Sequence, residues 1–339
     1  MTSPVVPGPG SGAGRLALVT GASGYIGSRL VPELLARGWQ VRVLVRRVAS
    51  VRERAWADRV QVVEGDAGAV DSLARALDGA EVAYYLLHSM DGQGDFEARD
   101  RRLARTVGQA ARRAGTPRIV YLSGLHPEGE LSAHLASRVE VGEILMSSDV
   151  PTAVLQAAVI LGAGSASFEM LRHLTQRLPA MIAPKWLGNR IQPIAVRDVL
   201  HYLAGAADLD PSLNRTFDIG GEEVLTYRQM IERFARIDGR LPRLILTVPV
   251  LTPWLASQWV GLVTPVPSGL AKPLVGSLLH EVICSENDIR DLVGLPTGGL
   301  TGFDDAVRAA LAGNGERPEP GTVEPERLTA ADPAWAGDA

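Results

Sequence analysis

The sequence contains very little cysteine and very little lysine. Cys284 is the single cysteine among 339 residues, so no internal disulfide can form and a reducing compartment is expected. Lysine occurs at Lys185 and Lys272, and all the other fixed positive charges are arginines. The net charge of −4 provides no general electrostatic attraction to nucleic acid. We therefore expect a cytoplasmic protein without a nucleic-acid partner, and no metal site is predicted.

Residues 1–14 do not show the pattern of a signal peptide, and no uninterrupted membrane-spanning run is expected. Residues 1–14 are rich in Pro, Gly and Ser without a basic or apolar region, which predicts a flexible arm. The apolar stretch 244–280 carries one formal charge, Lys272, but its prolines argue against a single membrane-spanning helix. These prolines are Pro249, Pro253, Pro265, Pro267 and Pro273. Residues 313–339 are of low complexity and predict a disordered tail.

A glycine-rich turn near the amino end is the strongest motif in the chain. Residues 16–19 form a short apolar run typical of a buried strand. The glycines that follow have the spacing G-x-x-G-x-x-G, at Gly21, Gly24 and Gly27. Residues 28–37 then show helical apolar periodicity, Gly38 ends that helix, and residues 39–45 alternate as a second strand. This order predicts a βαβ unit with a dinucleotide-binding turn.

Each glycine of this turn has a separate physical role. Gly21 lets the chain leave the strand sharply, and Gly24 has no Cβ, so a pyrophosphate can approach the backbone. Gly27 lets the helix pack closely against the strand. The free N–H groups and the dipole of the helix then favour an anion at its amino end.

Strands and helices alternate through the first half of the chain. Further strands are predicted at residues 60–63, 81–87, 118–122 and 152–160, with helices at 69–77, 95–114 and 132–146. Nearly continuous apolar strands predict a parallel sheet covered on both faces. We therefore expect an α/β Rossmann fold, a doubly wound parallel sheet, over residues 15–163. Residues 164–312 are expected to form mainly a smaller apolar substrate lobe, with segments that return to the Rossmann domain.

Several segments together resemble the extended and atypical short-chain dehydrogenase/reductase superfamily. They are TGASGYIG (20–27), GD (65–66), VILG (159–162), QPIAVRD (192–198) and FDIGG (217–221). More closely, YYLLHSM (84–90), HLASR (134–138) and GSASFE (164–169) resemble a bacterial branch of NAD(P)H-binding, NmrA-like proteins. The resemblance covers residues 15–312.

Two arginines after the second strand predict NADP(H) as cofactor. An acidic residue about 20 positions after the glycine turn holds the ribose of NAD, whereas an arginine there accommodates a 2′-phosphate. That position falls at Arg46 and Arg47, with no carboxylate beside them along the chain. Asp66 is expected to meet the adenine amino group. The other expected cofactor-binding residues are Gly21, Ser23, Gly24, Tyr25, Ile26, Gly27, Ala67, Leu87, His88, Arg138 and Val159.

The catalytic pair that is usual in this superfamily is absent. Its members carry Tyr-x-x-x-Lys on the helix after the fifth strand, and no tyrosine here precedes a lysine by four residues. Tyr25 and Arg29 have the spacing but lie in the phosphate-binding helix. His134 and Arg138 lie four residues apart where the pair belongs, which makes His134 a candidate proton donor and Arg138 a candidate ribose ligand. Ser123 lies near the position of the catalytic Ser or Thr.

Ordinary structural roles remain open for the same residues. His134 and Arg138 also fit two polar helix residues that are left after loss of the catalytic pair. His88 follows the fourth strand at the edge where ligands collect in doubly wound sheets, so it is a further catalytic candidate. A loop histidine bonded to the backbone is the alternative for His88.

The second half of the chain is expected to bind an apolar ligand. The stretch 244–280 contains one possible apolar helix face, formed by Trp254, Leu255, Trp259 and Leu262. We favour a substrate lobe first, an oligomer interface second and contact with a membrane surface third. A hydrophobic substrate is expected because further large apolar residues fall in this half: Phe168, Met170, Leu171 and Met181.

Two functions of different classes follow from these features. The first is an NADPH-dependent oxidoreductase that reduces a carbonyl or a conjugated enone or quinone of an apolar small molecule. The second is a catalytically inert NADP(H)-binding regulator or sensor. The apolar second lobe favours the enzyme and the missing tyrosine favours the sensor. A non-redox enzyme on the same fold, such as an isomerase, is a weaker third interpretation.

Overall fold

The computed structural model describes residues 12–87, 95–126, 131–248, 264–267, 269, 274–276, 279–313, 324–329, 332–333 and 335–336. The strands in this part of the chain are β1 (Leu16–Thr20), β2 (Gln40–Val45), β3 (Gln61–Glu64), β4 (Val82–Tyr85), β5 (Arg118–Gly124), β6 (Thr152–Ala157), β7 (Ile160–Leu161), β8 (Ala180–Pro184), β9 (Arg190–Ile191), β10 (Ile194–Ala195), β11 (Arg215–Ile219), β12 (Leu225–Thr226) and β13 (Leu244–Val248). The helices are α1 (Tyr25–Ala36), α2 (Val70–Leu77), α3 (Phe96–Ala114), α4 (Ala133–Met146), α5 (Ala166–Arg177), α6 (Val196–Gly205), α7 (Tyr227–Ile237), α8 (Asp288–Val293) and α9 (Phe303–Ala312).

A seven-stranded parallel sheet forms the centre of the molecule. Its strand order is β11-β6-β5-β4-β1-β2-β3, and every neighbouring pair is parallel. The order reverses between β1 and β4, which is the switch point where doubly wound sheets bind ligands. The expected α/β Rossmann architecture is confirmed.

Helices cover both faces of this sheet, as its strands require. All four residues of β4 and all six of β6 are buried, so neither face of these strands meets water. On one face, α1 and α6 pack on Val19 and Tyr84. On the other, α2, α3 and α4 pack on Leu18 and Tyr85. Neighbouring residues of one strand therefore contribute to two separate cores.

Helix α1 begins directly at the glycine turn, three residues earlier than the apolar periodicity predicts, and contains Pro32. Proline has no N–H, so it leaves the carbonyl four residues earlier, at Ser28, without its helical donor. The indole Nε1 of Trp56 donates to that carbonyl at 3.0 Å. A side chain from outside the helix thus replaces the missing bond and lets α1 continue through the proline.

A second lobe is built from short two-stranded sheets and three helices. The sheets pair β7 with β10, β9 with β12 and β8 with β13. Helices α5, α7 and α9 enclose a separate hydrophobic core that contains Phe168, Phe234 and Val307. The chain returns from this lobe to the Rossmann domain through α6 and β11.

The predicted strand over residues 152–160 is divided in the structure. β6 ends at Ala157, and Ile160 and Leu161 pair instead with β10. The sequence does not show this break, because both pieces form strands and the residues that join them are apolar as well.

Part of the expected disordered tail packs against the Rossmann domain. Residues 324–329 and 332–333, here called the C-terminal strap, lie against α1 and the loop after β7. Arg29 donates to the Pro325 and Arg327 carbonyls at 2.8 and 2.9 Å, and pairs with Asp332 at 2.9 Å. Ala163 donates its N–H to the Glu326 carbonyl at 3.2 Å. Composition alone predicted disorder here. It could not show the contacts that hold the strap, because Arg29 and Ala163 are far from it in the sequence.

The two other segments singled out for their composition are described only in part. Of the arm 1–14, residues 1–11 lie outside the described residues, while Gly12 donates its N–H to the Arg37 carbonyl at 3.1 Å. Of the stretch 244–280, the proposed apolar helix face also lies outside them. Among the helices that are described, none combines the length and apolar character needed to cross a membrane.

Candidate cofactor and active site

The glycine turn between β1 and α1 leaves no room for side chains. Gly21 has a φ of +77°, and a Cβ there would lie 2.6 Å from the Leu86 carbonyl oxygen. A Cβ at Gly27 would lie 2.3 Å from the Gly21 oxygen. Helix α1 starts at an N-cap glycine, Gly24, with neither a side-chain cap nor an acidic residue in its first turn. A pyrophosphate therefore fits this turn, since no side chain competes with it for the helix N-terminus.

The side chains of the other predicted residues of the turn differ in how far they are buried. Ser23 is exposed and Ile26 is half-buried. The Tyr25 ring lies 4.0 Å from the Arg29 guanidinium carbon, and its hydroxyl is buried beside Gly162. Burial raises the pKa of the Tyr25 phenol. The phenol therefore faces the protein interior, which leaves only the Tyr25 backbone for the predicted contact with a cofactor.

The residues predicted at the adenosine ribose lie at the carboxyl end of β2. Arg46 and Arg47 follow this strand directly and are exposed. Glu64, the last residue of β3, accepts a hydrogen bond from the Val48 N–H at 3.0 Å. A carboxylate therefore lies beside this turn in space although none lies beside it in sequence. The sequence could not show this, because β2 and β3 become neighbours only in the sheet.

Asp66 and Ala67 lie in the turn after β3. The Asp66 Oδ1 accepts from the Gly68 N–H at 2.9 Å, which closes a small turn and fixes the carboxyl group. Ala67 is buried and Leu87, after β4, is half-buried. The next residue, His88, lies outside the described residues, so its catalytic and cofactor-binding roles stay predictions.

Ser123 and Arg138 connect β5 to α4. The buried Ser123 hydroxyl donates to the Arg138 carbonyl oxygen at 3.4 Å, and the Tyr121 hydroxyl donates to the same oxygen at 3.4 Å. In return, the Arg138 guanidinium donates to the Leu122 carbonyl oxygen. Its carbon lies 5.5 Å from the centre of the Tyr121 ring. Both predicted site residues thus hold the helix against the strand.

His134 lies in the first turn of α4, behind the N-cap Ser132. Both ring nitrogens are buried, and neither has a hydrogen-bond partner within the described residues. Burial, reinforced by the positive charge of Arg138, lowers the pKa of His134 to about 4. The sequence suggested an imidazole that titrates near neutral pH, whereas this site holds the ring neutral at pH 7.

His134 forms part of the wall of an apolar cavity of about 90 Å³. The wall combines the carboxyl ends of β5 and β6 with α5, α7 and the C-terminal part of the second lobe. Its residues are Leu125, His134, Leu135, Ala157, Ala158, Val159, Ser167, Met170, Ile191, Tyr227, Leu274 and Val282. The cavity thus brings together His134 and Val159, which the sequence analysis assigned to catalysis and to the cofactor.

Tyr227 is a wall residue that the sequence analysis did not select. It is the first residue of α7, its hydroxyl is buried, and no partner for this hydroxyl is found in the described part of the chain. Burial raises the pKa of its phenol. No sequence signal marks this residue, because α7 comes from the second lobe and approaches α4 only in the folded protein.

Comparisons with known proteins identify the family. A family model described as NAD(P)H-binding matches residues 21–165. Ceramide reductase from Caulobacter vibrioides is 31% identical over 277 residues, which cover 77% of this chain and 83% of that protein. The chain belongs to the NmrA-like branch of the extended short-chain dehydrogenase/reductase superfamily. It is thus an NAD(P)H-binding member of an oxidoreductase family.

Solved structures share this fold. Triphenylmethane reductase from Citrobacter sp., in complex with NADP(H), has a TM-score of 0.67 and 18% identity, covering 87% of this chain and 99% of that one. An NADPH-dependent quinone oxidoreductase from Escherichia coli, in complex with NADPH, has a TM-score of 0.66 and 20% identity, covering 86% and 98%. At these identities the likeness concerns the fold alone.

Proposed function

We propose that this protein is an NADPH-dependent reductase of the carbonyl, conjugated enone or quinone group of an apolar small molecule. The observation that carries the proposal is the apolar cavity at the carboxyl ends of β5 and β6, with the unpartnered His134 ring in its wall. Ligands of doubly wound sheets bind at this edge. The names of two similar proteins, a ceramide reductase and a quinone oxidoreductase, belong to the same reaction class.

The size of the cavity limits which part of a substrate it can hold. A volume of about 90 Å³ accommodates few heavy atoms. We expect it to receive the reacting end of the substrate, while the rest of the molecule extends beyond the cavity. Most of the wall is aliphatic and its polar side chains are His134, Ser167 and Tyr227, so a charged or sugar-bearing end would regain there only a small part of the hydration it loses.

NADP(H) is the proposed cofactor. Arg46 and Arg47 place two exposed guanidinium groups at the end of β2, where a 2′-phosphate is expected in this fold. Guanidinium and phosphate form short, charge-assisted hydrogen bonds, often in pairs. The neighbouring Glu64 carboxylate repels a phosphate, but it carries one negative charge against the two positive charges of Arg46 and Arg47.

In the proposed mechanism, NADPH supplies a hydride to the substrate when it is bound. The N-terminus of α1 holds the pyrophosphate through its free N–H groups. Ser123 and Arg138 fix α4 to β5 and so position His134 at the cavity wall. A neutral imidazole N–H then donates to the substrate oxygen and stabilises the negative charge that develops on it. His134 thereby replaces the missing phenol as a hydrogen-bond donor without needing to be charged, and the proton that the reduced substrate takes up comes from solvent.

Replacing His134 with Phe tests the proposal. Phe keeps a ring in the cavity wall but removes the donor, so kcat/KM should fall about 10²-fold or more. The Kd for NADPH should stay nearly constant, because a donor to the substrate contributes little to cofactor binding. The measurements are NADPH oxidation with a panel of apolar ketones, enones and quinones, and calorimetry for cofactor binding.

Two further variants sharpen this test. His134→Asn retains a side-chain N–H donor and should recover part of the activity, whereas the exposed His280, changed to Phe, should alter nothing. Full activity in the His134→Phe protein would contradict the assigned role. NADPH binding without turnover of any panel member would instead favour the inert regulator or sensor, which the absence of Tyr-x-x-x-Lys supports.

A further inference from the structure

The two-stranded sheet of β8 and β13 carries an apolar face on the outside of the second lobe. Ile182 is 59% exposed, Leu244 58% and Leu246 56%. The strands are parallel and in a register that pairs Leu246 with Ile182 and Leu244 with Ala180. The exposed residues therefore form one continuous patch, here called the β8–β13 face, which consists of Ala180, Ile182, Leu244 and Leu246.

The β8–β13 face is unusual for a strand pair with water on one side. The alternate residues of the same strands, Met181, Ala183 and Ile245, point inward and are at most 5% exposed. A sheet with one wet face normally alternates apolar and polar residues, so the outward positions should be polar. Here they are Ala, Ile and Leu. Contiguous apolar surface of this kind marks an interaction site.

Positive charge surrounds the β8–β13 face. Lys185 directly follows β8 and Arg243 directly precedes β13, while the nearby Arg240 is paired with Asp238 at 2.5 Å. Asp238 neutralises Arg240, and no other acidic residue occurs in residues 176–188 or 238–248, although the protein as a whole has a net charge of −4. An apolar centre with a basic rim is complementary to a bilayer that exposes anionic headgroups above acyl chains.

We propose that the β8–β13 face docks on the surface of an anionic lipid bilayer. The aliphatic side chains enter the boundary between headgroups and acyl chains, and Lys185 and Arg243 pair with lipid phosphates. The inward residues of both strands belong to the same hydrophobic core as the cavity residues Met170 and Tyr227. Docking thus brings the lobe that contains the cavity to the membrane surface, and this inference stands independently of the reaction that the cavity performs.

Sedimentation with lipid vesicles tests this inference without any turnover assay. We expect the protein to bind vesicles of phosphatidylcholine mixed with phosphatidylglycerol, more weakly at high salt, and to bind pure phosphatidylcholine vesicles poorly. The double variant Ile182→Asp/Leu246→Asp should lower the apparent partition coefficient at least about tenfold. Lys185→Gln should lower it about fivefold on the anionic vesicles alone.

A matched control separates the β8–β13 face from general surface hydrophobicity. Leu295 is 47% exposed and lies just after α8, so Leu295→Asp introduces the same chemistry elsewhere and should leave vesicle binding unchanged. Circular dichroism and thermal unfolding establish that each variant is folded. The inference is overturned if the unaltered protein binds neither kind of vesicle. It is equally overturned if the double Asp variant binds vesicles as strongly as the unaltered protein does. It is also overturned if light scattering detects a dimer that this variant abolishes, which would assign the face to a second copy of the chain.

Discussion

His134 illustrates how burial decides the chemistry that one side chain can perform. In water an imidazole is the usual donor and acceptor of protons near neutral pH. In this site, burial and the adjacent Arg138 lower its pKa to about 4, so the charged form is scarce at pH 7. A role as a neutral hydrogen-bond donor and a role as a charged acid therefore predict different pH dependences.

The pH dependence of turnover distinguishes these two roles. A neutral donor is fully populated well above its pKa, so kcat should show no ionisation of His134 between about pH 5.5 and 8. Should the charged form be required, kcat would instead fall about tenfold for each unit of pH above 4. The measurement is the initial rate with one substrate across this pH range, for the unaltered protein and for His134→Asn.

The preference for NADP(H) over NAD(H) depends on Arg46, Arg47 and Glu64. Replacing both arginines with Ser should weaken NADPH binding about tenfold or more and leave NADH binding nearly unchanged, because NADH has no 2′-phosphate. Glu64→Gln should strengthen NADPH binding, since it removes the opposing charge beside the turn. Calorimetric titration of both cofactors provides the dissociation constants.

A control for this experiment lies at the opposite edge of the sheet. Arg113 is exposed near the end of α3, which leads into the amino end of β5, so Arg113→Ser changes the net charge without approaching the expected phosphate position. Equal affinities of the unaltered protein for NADPH and NADH would refute the preference.

Among the elements, α1 depends unusually strongly on groups outside itself. Its N-terminus has no side-chain cap of its own, the Ser28 carbonyl is satisfied by Trp56, and Arg29 is held by the C-terminal strap. Arg54 links the same elements, because it donates to the Ser23 carbonyl in the glycine turn and to the Thr329 hydroxyl in the strap. The strap therefore supports the phosphate-binding turn through two buried arginines.

Asp332→Asn tests this support. The Arg29 and Asp332 side chains are each 4% exposed, and loss of the carboxylate leaves Arg29 buried without its counter-ion. We expect the free energy of unfolding to fall by about 3–5 kcal/mol. Urea unfolding measures the change. Glu140→Gln, which disrupts a pair with Arg101 that is far more exposed, is the control and should have little effect.

The same variant has an expected pH dependence. Burial alone would raise the pKa of Asp332, but the hydrogen bond and charge of Arg29 bring it below the ordinary value. The stabilisation is therefore fully present above the ordinary aspartate pKa of about 3.9 and is lost as the pH falls through the lower, folded-state pKa. The difference in Tm between the two proteins should shrink in strong acid, and a constant difference would argue against an ionic origin.

At the scale of the whole molecule, local patterns predicted the Rossmann domain well. The apolar runs and the turn around Gly21 and Gly27 could be predicted because their conformation depends on residues that are neighbours in the sequence. The strands β8 and β13 are apolar at nearly every position, so their sequence does not show which face is buried. The exposure of Ile182 and Leu246 could be read only from the folded lobe.

The candidate site was predicted less completely than the fold because its walls come from distant parts of the chain. His134 was predicted from its place in the resemblance, where the catalytic pair belongs, and Val159 from a segment that matches the superfamily. Both line the cavity, whereas Tyr227 joins them from the second lobe. Glu64 meets the turn after Arg47 only because β3 lies beside β2. The composition of residues 313–339 gave no sign of the Asp332 contact with Arg29.

That contact has a consequence for the order in which the protein assembles. Arg29 and Asp332 are 303 residues apart, so a ribosome makes the arginine roughly 15 to 60 s before its carboxylate partner. During that interval Arg29 has no counter-ion with which to be buried, and it must remain hydrated. The phosphate-binding turn is thus among the first segments synthesised and among the last to reach its final packing, and a nascent chain would offer NADPH an unfinished site.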